Sequence, residues 1–240
     1  MKIALAFFGI TRSLKYTIDS IKLYVLKVLK ENNIEYDIYM HTFTLTNYVN
    51  IRTHEKHDNY DNNEYKLLEP DYIILENQED IKTKINMNQY RTHVDPWKTN
   101  YNSVDNFILA QYSKSKIVEM IKTHGIMYDS VIFIRPDCMY LDKLNPNFFN
   151  IINNNTILIP NFSLHSKYQF NDRFSICNMA TYHIYGNIYY DLLEISKKQS
   201  LHSETVLGQH IHNNNVKVIR VKFNFTRVRC NGKCVDIFTF

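Results

Sequence analysis

Apolar residues are arranged along this chain in two ways, as short unbroken blocks and as longer stretches with a helical repeat. Lys2 to Phe8 is the first block, and it ends at Gly9-Ile10-Thr11-Arg12. A run of consecutive apolar residues too short for a helix predicts a strand covered on both faces. Behind it, Ser13 is placed to cap a helix whose apolar positions, Leu14, Ile18, Ile21, Tyr24, Val25 and Val28, recur at helical spacing until Asn32-Asn33. Tyr36 to Phe43 predicts a second strand, with His41 and Thr42 near its carboxyl end. A strand, a helix and a strand in this order predict a parallel pair with a right-handed crossover.

The stretch from Thr44 to Tyr65 is polar and reads as a long loop, with His54 and His57 in solvent rather than on a metal. Asp71 to Leu75 predicts a third strand, and Asn77 to Trp97 is ambiguous between elements. Val104 to Lys122 is an amphipathic helix, with Phe107, Ile108, Gln111, Tyr112, Ile117, Val118 and Ile121 spaced along it and Gly125 as its stop signal. Tyr128-Asp129 leads into Val131 to Ile134, a central buried strand closed by Arg135-Pro136-Asp137. Pro136 has no N–H for a ladder and marks where pairing stops. Further strands are predicted at Ile157–Ile159 and Phe174–Cys177, the latter after a loop ending in Asn171-Asp172-Arg173. A helix over Ala180 to Ile195 follows. Another opens at Ser203, its candidate cap, with Glu204 in the first turn, and runs to His212, where His210 and His212 default to the surface. Val216 to Phe225 is the last predicted strand. The alternation of strands and helices, without repeat or linker, predicts one α/β domain over residues 1–240: a mixed, mostly parallel central sheet with helices on both faces.

Composition narrows the classes. Hydrophobic residues make up 45% and charged residues 22% of the 240, so a packed core is expected. The net charge of +4 is compatible with an anionic small ligand but selects no partner, and the lack of a long basic block disfavours nucleic acid. No segment has the length or flanks of a signal peptide or a membrane span, which predicts a soluble, intracellular protein. Of the four cysteines, Cys138 and Cys177 read as buried thiols, while Cys230 and Cys234 flank a turn and lack the further ligands a metal site needs.

In an open α/β sheet, ligands bind beyond the carboxyl ends of the strands. Arg12 after the first strand, and Arg135 and Asp137 after the central one, stand at such positions. Read together, five segments resemble the GT-A-type (Rossmann-like) glycosyltransferases of polysaccharide gene clusters and large DNA viruses. These are Gly9-Ile-Thr-Arg12, Tyr36-Asp-Ile-Tyr-Met-His-Thr42, Tyr128-Asp129 with Arg135-Pro-Asp137, Asn171-Asp-Arg-Phe174, and Glu204 with Leu207-Gly-Gln-His210. They span nearly the whole chain, in order.

The resemblance implies transfer of a sugar from a nucleotide-diphosphate sugar to a glycan or other hydroxyl acceptor, in the cytoplasm, or the host cytoplasm for a viral member. The donor would be bound by Gly9, Thr11, Arg12, His41, Thr42 and Arg135. Arg12 suits the diphosphate because the leaving group gains negative charge that fixed cations must meet. Lys116, on the helix before the central strand, is a further candidate for the phosphates, with an exposed surface lysine as the plainer reading. Related enzymes hold a divalent cation with Asp-x-Asp at the central strand end. Here Arg135 replaces the first acid, so either Asp137 holds Mn²⁺ or Mg²⁺ with phosphates and water, or Arg135 does the cation's work as a guanidinium forked onto phosphate; the expectation leans to the metal. Inverting transfer needs a base for the acceptor hydroxyl. Glu204 resembles the catalytic carboxylate of related inverting enzymes, and Asp172 is its rival. Two other classes stay open: a metal-dependent phosphodiesterase built on Asp137, Asp172 and Glu204, and a non-catalytic nucleotide- or sugar-binding module.

Overall fold

The computed structural model describes residues 1–58 and 60–235. Eleven strands occur among them: β1 (Lys2–Phe8), β2 (Glu35–Thr44), β3 (Tyr48–Asn50), β4 (Glu55–His57), β5 (Tyr72–Asn77), β6 (Ser130–Ile134), β7 (Cys138–Tyr140), β8 (Thr156–Pro160), β9 (Phe174–Asn178), β10 (Lys217–Val221) and β11 (Phe225–Arg227). Seven of them form one sheet in the order β10-β8-β9-β6-β1-β2-β5, all parallel except β9, which runs against both β6 and β8. This is the mixed, mostly parallel α/β sheet expected.

The α-helices are α1 (Leu14–Ile21), α2 (Lys27–Glu31), α3 (Gln78–Ile85), α4 (Asn102–His124), α5 (Tyr182–Gly186), α6 (Leu192–Ser196) and α7 (Ser203–Asn213). Pleating sends alternate residues of β1 to opposite faces. Ile3, Leu5 and Phe7 pack with Leu14, Ile18 and Ile21 of α1, while Ala4, Ala6 and Phe8 join the core formed with α4, α5 and α7. Helices therefore cover both faces, and β1 reads as a continuous apolar run for that reason. No helix among the described residues is long and apolar enough to cross a membrane. The four cysteines are free thiols, and burial pushes the Cys177 thiol up to about 12.

Four local expectations need correction. The polar stretch after β2 is not a bare loop: β3 and β4 pair antiparallel there, with His54 in the left-handed region at the corner between them. The helix expected over Ala180 to Ile195 is two short helices, because a 3₁₀ turn at Ile188–Asp191 separates α5 from α6. The last strand stops at Val221, and the chain changes sheets, so that β11 pairs antiparallel with β7. Finally, neither Ser13 nor Ser203 caps a helix with its hydroxyl. Ser13 Oγ donates to the Val228 carbonyl at 2.9 Å, and Ser203 donates to the Glu204 carboxylate.

Candidate functional site

Strands β1 and β6 are parallel neighbours, with Phe7 opposite Ile134. Their carboxyl ends consequently deliver Gly9 to Arg12 and Arg135 to Asp137 side by side. Gly9 makes the turn at φ +89°, a conformation that side-chain-bearing residues rarely adopt, and its N–H donates to Ser113 Oγ of α4 at 2.8 Å. Because β9 is antiparallel to β6, with Ile134 opposite Phe174, it is the beginning of β9 that reaches this edge, and it brings Asp172 and Arg173. The pairing of Cys138 with Arg227 adds the end of β11. A cavity of about 550 Å³ opens here, lined among others by Gly9, Arg12, Tyr48, Arg52, Trp97, Arg135, Asp137, Asp172, Arg173, Glu204, Arg227 and Arg229.

Its centre is an ionic cluster. Asp137 Oδ1 accepts from Arg135 Nε at 2.9 Å, and its Oδ2 accepts from Arg135 Nη2 at 2.7 Å and from Arg12 Nη2 at 2.8 Å. Arg12 also donates to the Tyr48 hydroxyl and lies over that ring, 5.0 Å from its centroid. The backbone is pinned as well: Thr17 Oγ1 donates to the Pro136 carbonyl at 2.6 Å and Val228 N to the Asp137 carbonyl at 2.8 Å. Burial by itself would raise the Asp137 pKa, but Arg135 and then Arg12 outweigh it and hold the carboxyl well below the usual range. On the rim, Arg229 Nη1 meets Glu55 Oε2 at 3.2 Å, tying β4 to the chain after β11.

Six arginines and three carboxylates, Asp137, Asp172 and Glu204, line the cavity, which leaves an excess of positive charge suited to a polyanion. The donor set does not fit a divalent cation. The one carboxylate at the central strand end, Asp137, already accepts from two guanidiniums, and each of these positive charges would repel such an ion. Among the described residues no three acidic, histidine or cysteine side chains are grouped to hold a metal.

Asp172 differs from Asp137. It has no ion pair within 4 Å among the described residues, yet Arg173, Arg135 and Lys114 together overcome its burial and lower its pKa. Glu204, in the first turn of α7, accepts from Ser203 and stands 3.6 Å from His202 Nδ1. His202 stacks on Trp97 at 5.2 Å, and Arg52 covers the Trp97 ring at 5.8 Å.

No family model matches the chain, and comparison with curated proteins finds no match. Among solved structures, the chain is similar to the galactosyltransferase LgtC, solved with donor and acceptor sugar analogs, at 12% identity and a TM-score of 0.47, over 91% of this chain and 73% of that one. Mouse xyloside xylosyltransferase 1 matches at 12% identity and 0.45, over 92% and 85%. A glycosyltransferase involved in glycosylation of the major capsid of PBCV-1 matches at 8% identity and 0.42, over 92% and 82%.

Of the residues singled out in the sequence, Gly9, Arg12, Arg135, Asp137, Asp172 and Glu204 come together on the cavity wall. Thr11, His41, Thr42 and Lys116 do not line it. Thr11 pairs with the Tyr60 hydroxyl at 3.1 Å, and Thr42 is buried. His41 is wholly buried between Ser113 Oγ and Glu76 Oε2, each at 2.9 Å, and touches the cavity wall indirectly, through Ser113 to Gly9 and through its ring contact with Phe43. Lys116 pairs with Glu119 at 2.8 Å. It lies six residues past Ala110, which does line the cavity, or about 9 Å further along α4.

Two sets of residues were not anticipated. Arg173 stands inside the Asn171-Asp-Arg-Phe174 segment and could have been taken with it; Arg227 and Arg229 lie beyond the last predicted strand. Lys114 had no sequence signal. It is fully buried under the cavity, with Nζ lacking a hydrogen-bond partner among the described residues and lying 4.0 Å from the Tyr185 ring centroid and 4.8 Å from that of Phe8. Burial lowers its pKa to about 7, against a smaller upward pull from Asp172.

Proposed function

We propose that the protein is a GT-A-type glycosyltransferase that moves a sugar from a nucleotide-diphosphate sugar to a hydroxyl of a glycan or similar acceptor. The carrying observation is the Arg12–Asp137–Arg135 cluster at the carboxyl ends of two adjacent parallel strands, in a cavity with further arginines and two remaining carboxylates. Such a site offers preorganised positive charge where a diphosphate leaving group gains charge. The five sequence segments that resemble this family supply six of its charged groups: Arg12, Arg135, Asp137, Asp172, Arg173 and Glu204.

In the reading we favour, the reaction inverts the sugar. Glu204 takes the proton of the acceptor hydroxyl, the acceptor oxygen bonds to the anomeric carbon, and the carbon–oxygen bond to phosphate breaks with its electron pair leaving on the diphosphate. Asp172 is the poorer base, since its neighbouring cations keep it ionised and weakly basic. Its carboxylate suits the hydroxyls of the donor sugar instead. Trp97 and His202, on the same wall as Glu204, would meet the acceptor.

A thermal-shift screen tests the ligand class. Nucleoside diphosphates and their sugar conjugates should raise the melting temperature, since a ligand at a hundred times its Kd adds about 2.7 kcal/mol to apparent stability. Stabilisation by phosphodiesters or free sugars, with none from any nucleoside diphosphate, would favour the rival classes.

A further inference from the structure

We propose that this cavity holds its diphosphate without a divalent cation: Arg12 and Arg135 are the phosphate-binding groups, and Asp137 is the buried anion that fixes them in place. The inference rests on the nucleotide-sugar reading and specifies how that ligand is held. A carboxylate offers about four acceptor sites. Three on Asp137 already receive guanidinium N–H groups, and its side chain is 4% exposed. Arg135 is 25% exposed, so the guanidinium is the more accessible partner of the pair. Each of the two arginines has donors to spare. Arg135 uses Nε and Nη2 on Asp137, out of five N–H donors, and the Nε of nine-tenths-buried Arg12 has no acceptor among the described residues.

Magnesium and manganese demand several oxygen ligands in near-octahedral order and are commonly held through carboxylates together with substrate phosphates. The one carboxylate at this strand end already has three of its four acceptor sites taken by guanidinium N–H groups, with the Cys138 thiol 3.9 Å from Oδ1. A guanidinium, by contrast, matches phosphate geometry with paired N–H groups and needs no such ligand set. In this arrangement Asp137 acts as a positioning residue. Without it, two like-charged guanidiniums brought to adjacent strand ends would repel each other and turn aside.

Calorimetric titration with a panel of nucleoside diphosphates, in excess chelator and again in Mn²⁺, tests the inference on the wild-type protein. The expected result is a Kd that agrees within about threefold between the two buffers, a difference below 1 kcal/mol. Arg135→Gln, at a side chain accessible enough to change without unfolding the cluster, should weaken binding in chelator by about tenfold or more, as loss of a charged hydrogen bond does. Asp137→Asn should leave the indifference to chelator intact. Binding that appears only with Mn²⁺, and loses that dependence in Asp137→Asn, would overturn the inference while leaving the nucleotide-sugar reading standing. No binding in either buffer would remove the nucleotide-sugar reading and this inference with it.

Discussion

Replacing Lys114 with methionine should stabilise the protein, and by more in mild acid than in mild base. The side chain is fully buried, its Nζ has no hydrogen-bond acceptor among the described residues, and its pKa falls from 10.5 to about 7. Below about pH 7 the amine is charged in both the folded and the unfolded chain, and the folded state bears the whole cost of burying it. Between about 7 and 10.5 the folded chain has lost a proton that the unfolded chain still carries, so stability rises with pH across that window. One pKa unit corresponds to about 1.36 kcal/mol, so the penalty is about 5 kcal/mol at pH 6 and about 2 kcal/mol at pH 9. Methionine has similar volume and makes favourable contacts with aromatic rings such as Tyr185 and Phe8, so the swap introduces little strain of its own. Urea unfolding of wild type and Lys114→Met at the two pH values measures the difference directly. The gain should shrink by about 3 kcal/mol from pH 6 to pH 9. A gain that does not change with pH, or a loss at pH 6, would show that Lys114 is not held as a strained buried amine.

Two further outcomes follow from the same geometry. Asp172→Asn should raise the Michaelis constant for donor or acceptor more than it lowers turnover, measured in steady-state transfer assays; a loss of turnover of about 100-fold with an unchanged Michaelis constant would instead make Asp172 the base. Gly186→Ala would put a Cβ 2.4 Å from Val118 Cγ2 and 3.0 Å from Phe133 Cζ, so it should cost about 1–3 kcal/mol in chemical unfolding, and a neutral result would contradict the close packing of α5 on α4 and β6.

Strands β1 and β6 were legible because burial on both faces leaves an unbroken apolar block too short for a helix, and the groups at their carboxyl ends came with them. His41 and Thr42 illustrate a limit of that logic. Strand β2 continues to Thr44, so these two residues stand inside the strand rather than at its tip, His41 covered by α4 and Thr42 buried on the opposite face. Lys114 was hidden because Ser113-Lys114-Ser115 reads as the solvent face of a helix. In the folded chain α4 is sandwiched between the sheet and α5, and that face is buried too. Arg227 and Arg229 were missed where the chain leaves the main sheet at Lys222 and pairs with β7, since a change of sheet leaves no mark on the hydrophobic pattern.

Whether the cavity breaks the bond between a sugar and a nucleoside diphosphate decides the function. The direct measurement is release of nucleoside diphosphate from a panel of sugar nucleotides by wild type and by Glu204→Gln, alongside donor binding by both. Wild type should release it from at least one donor, faster with added hydroxyl acceptors. Glu204→Gln keeps the shape but cannot accept the proton, so its release should be at least about 100-fold slower with donor affinity nearly unchanged. Equal rates in the two proteins would remove Glu204 as the base. No release from any donor, with cleavage of a phosphodiester substrate instead, would overturn the glycosyltransferase reading itself.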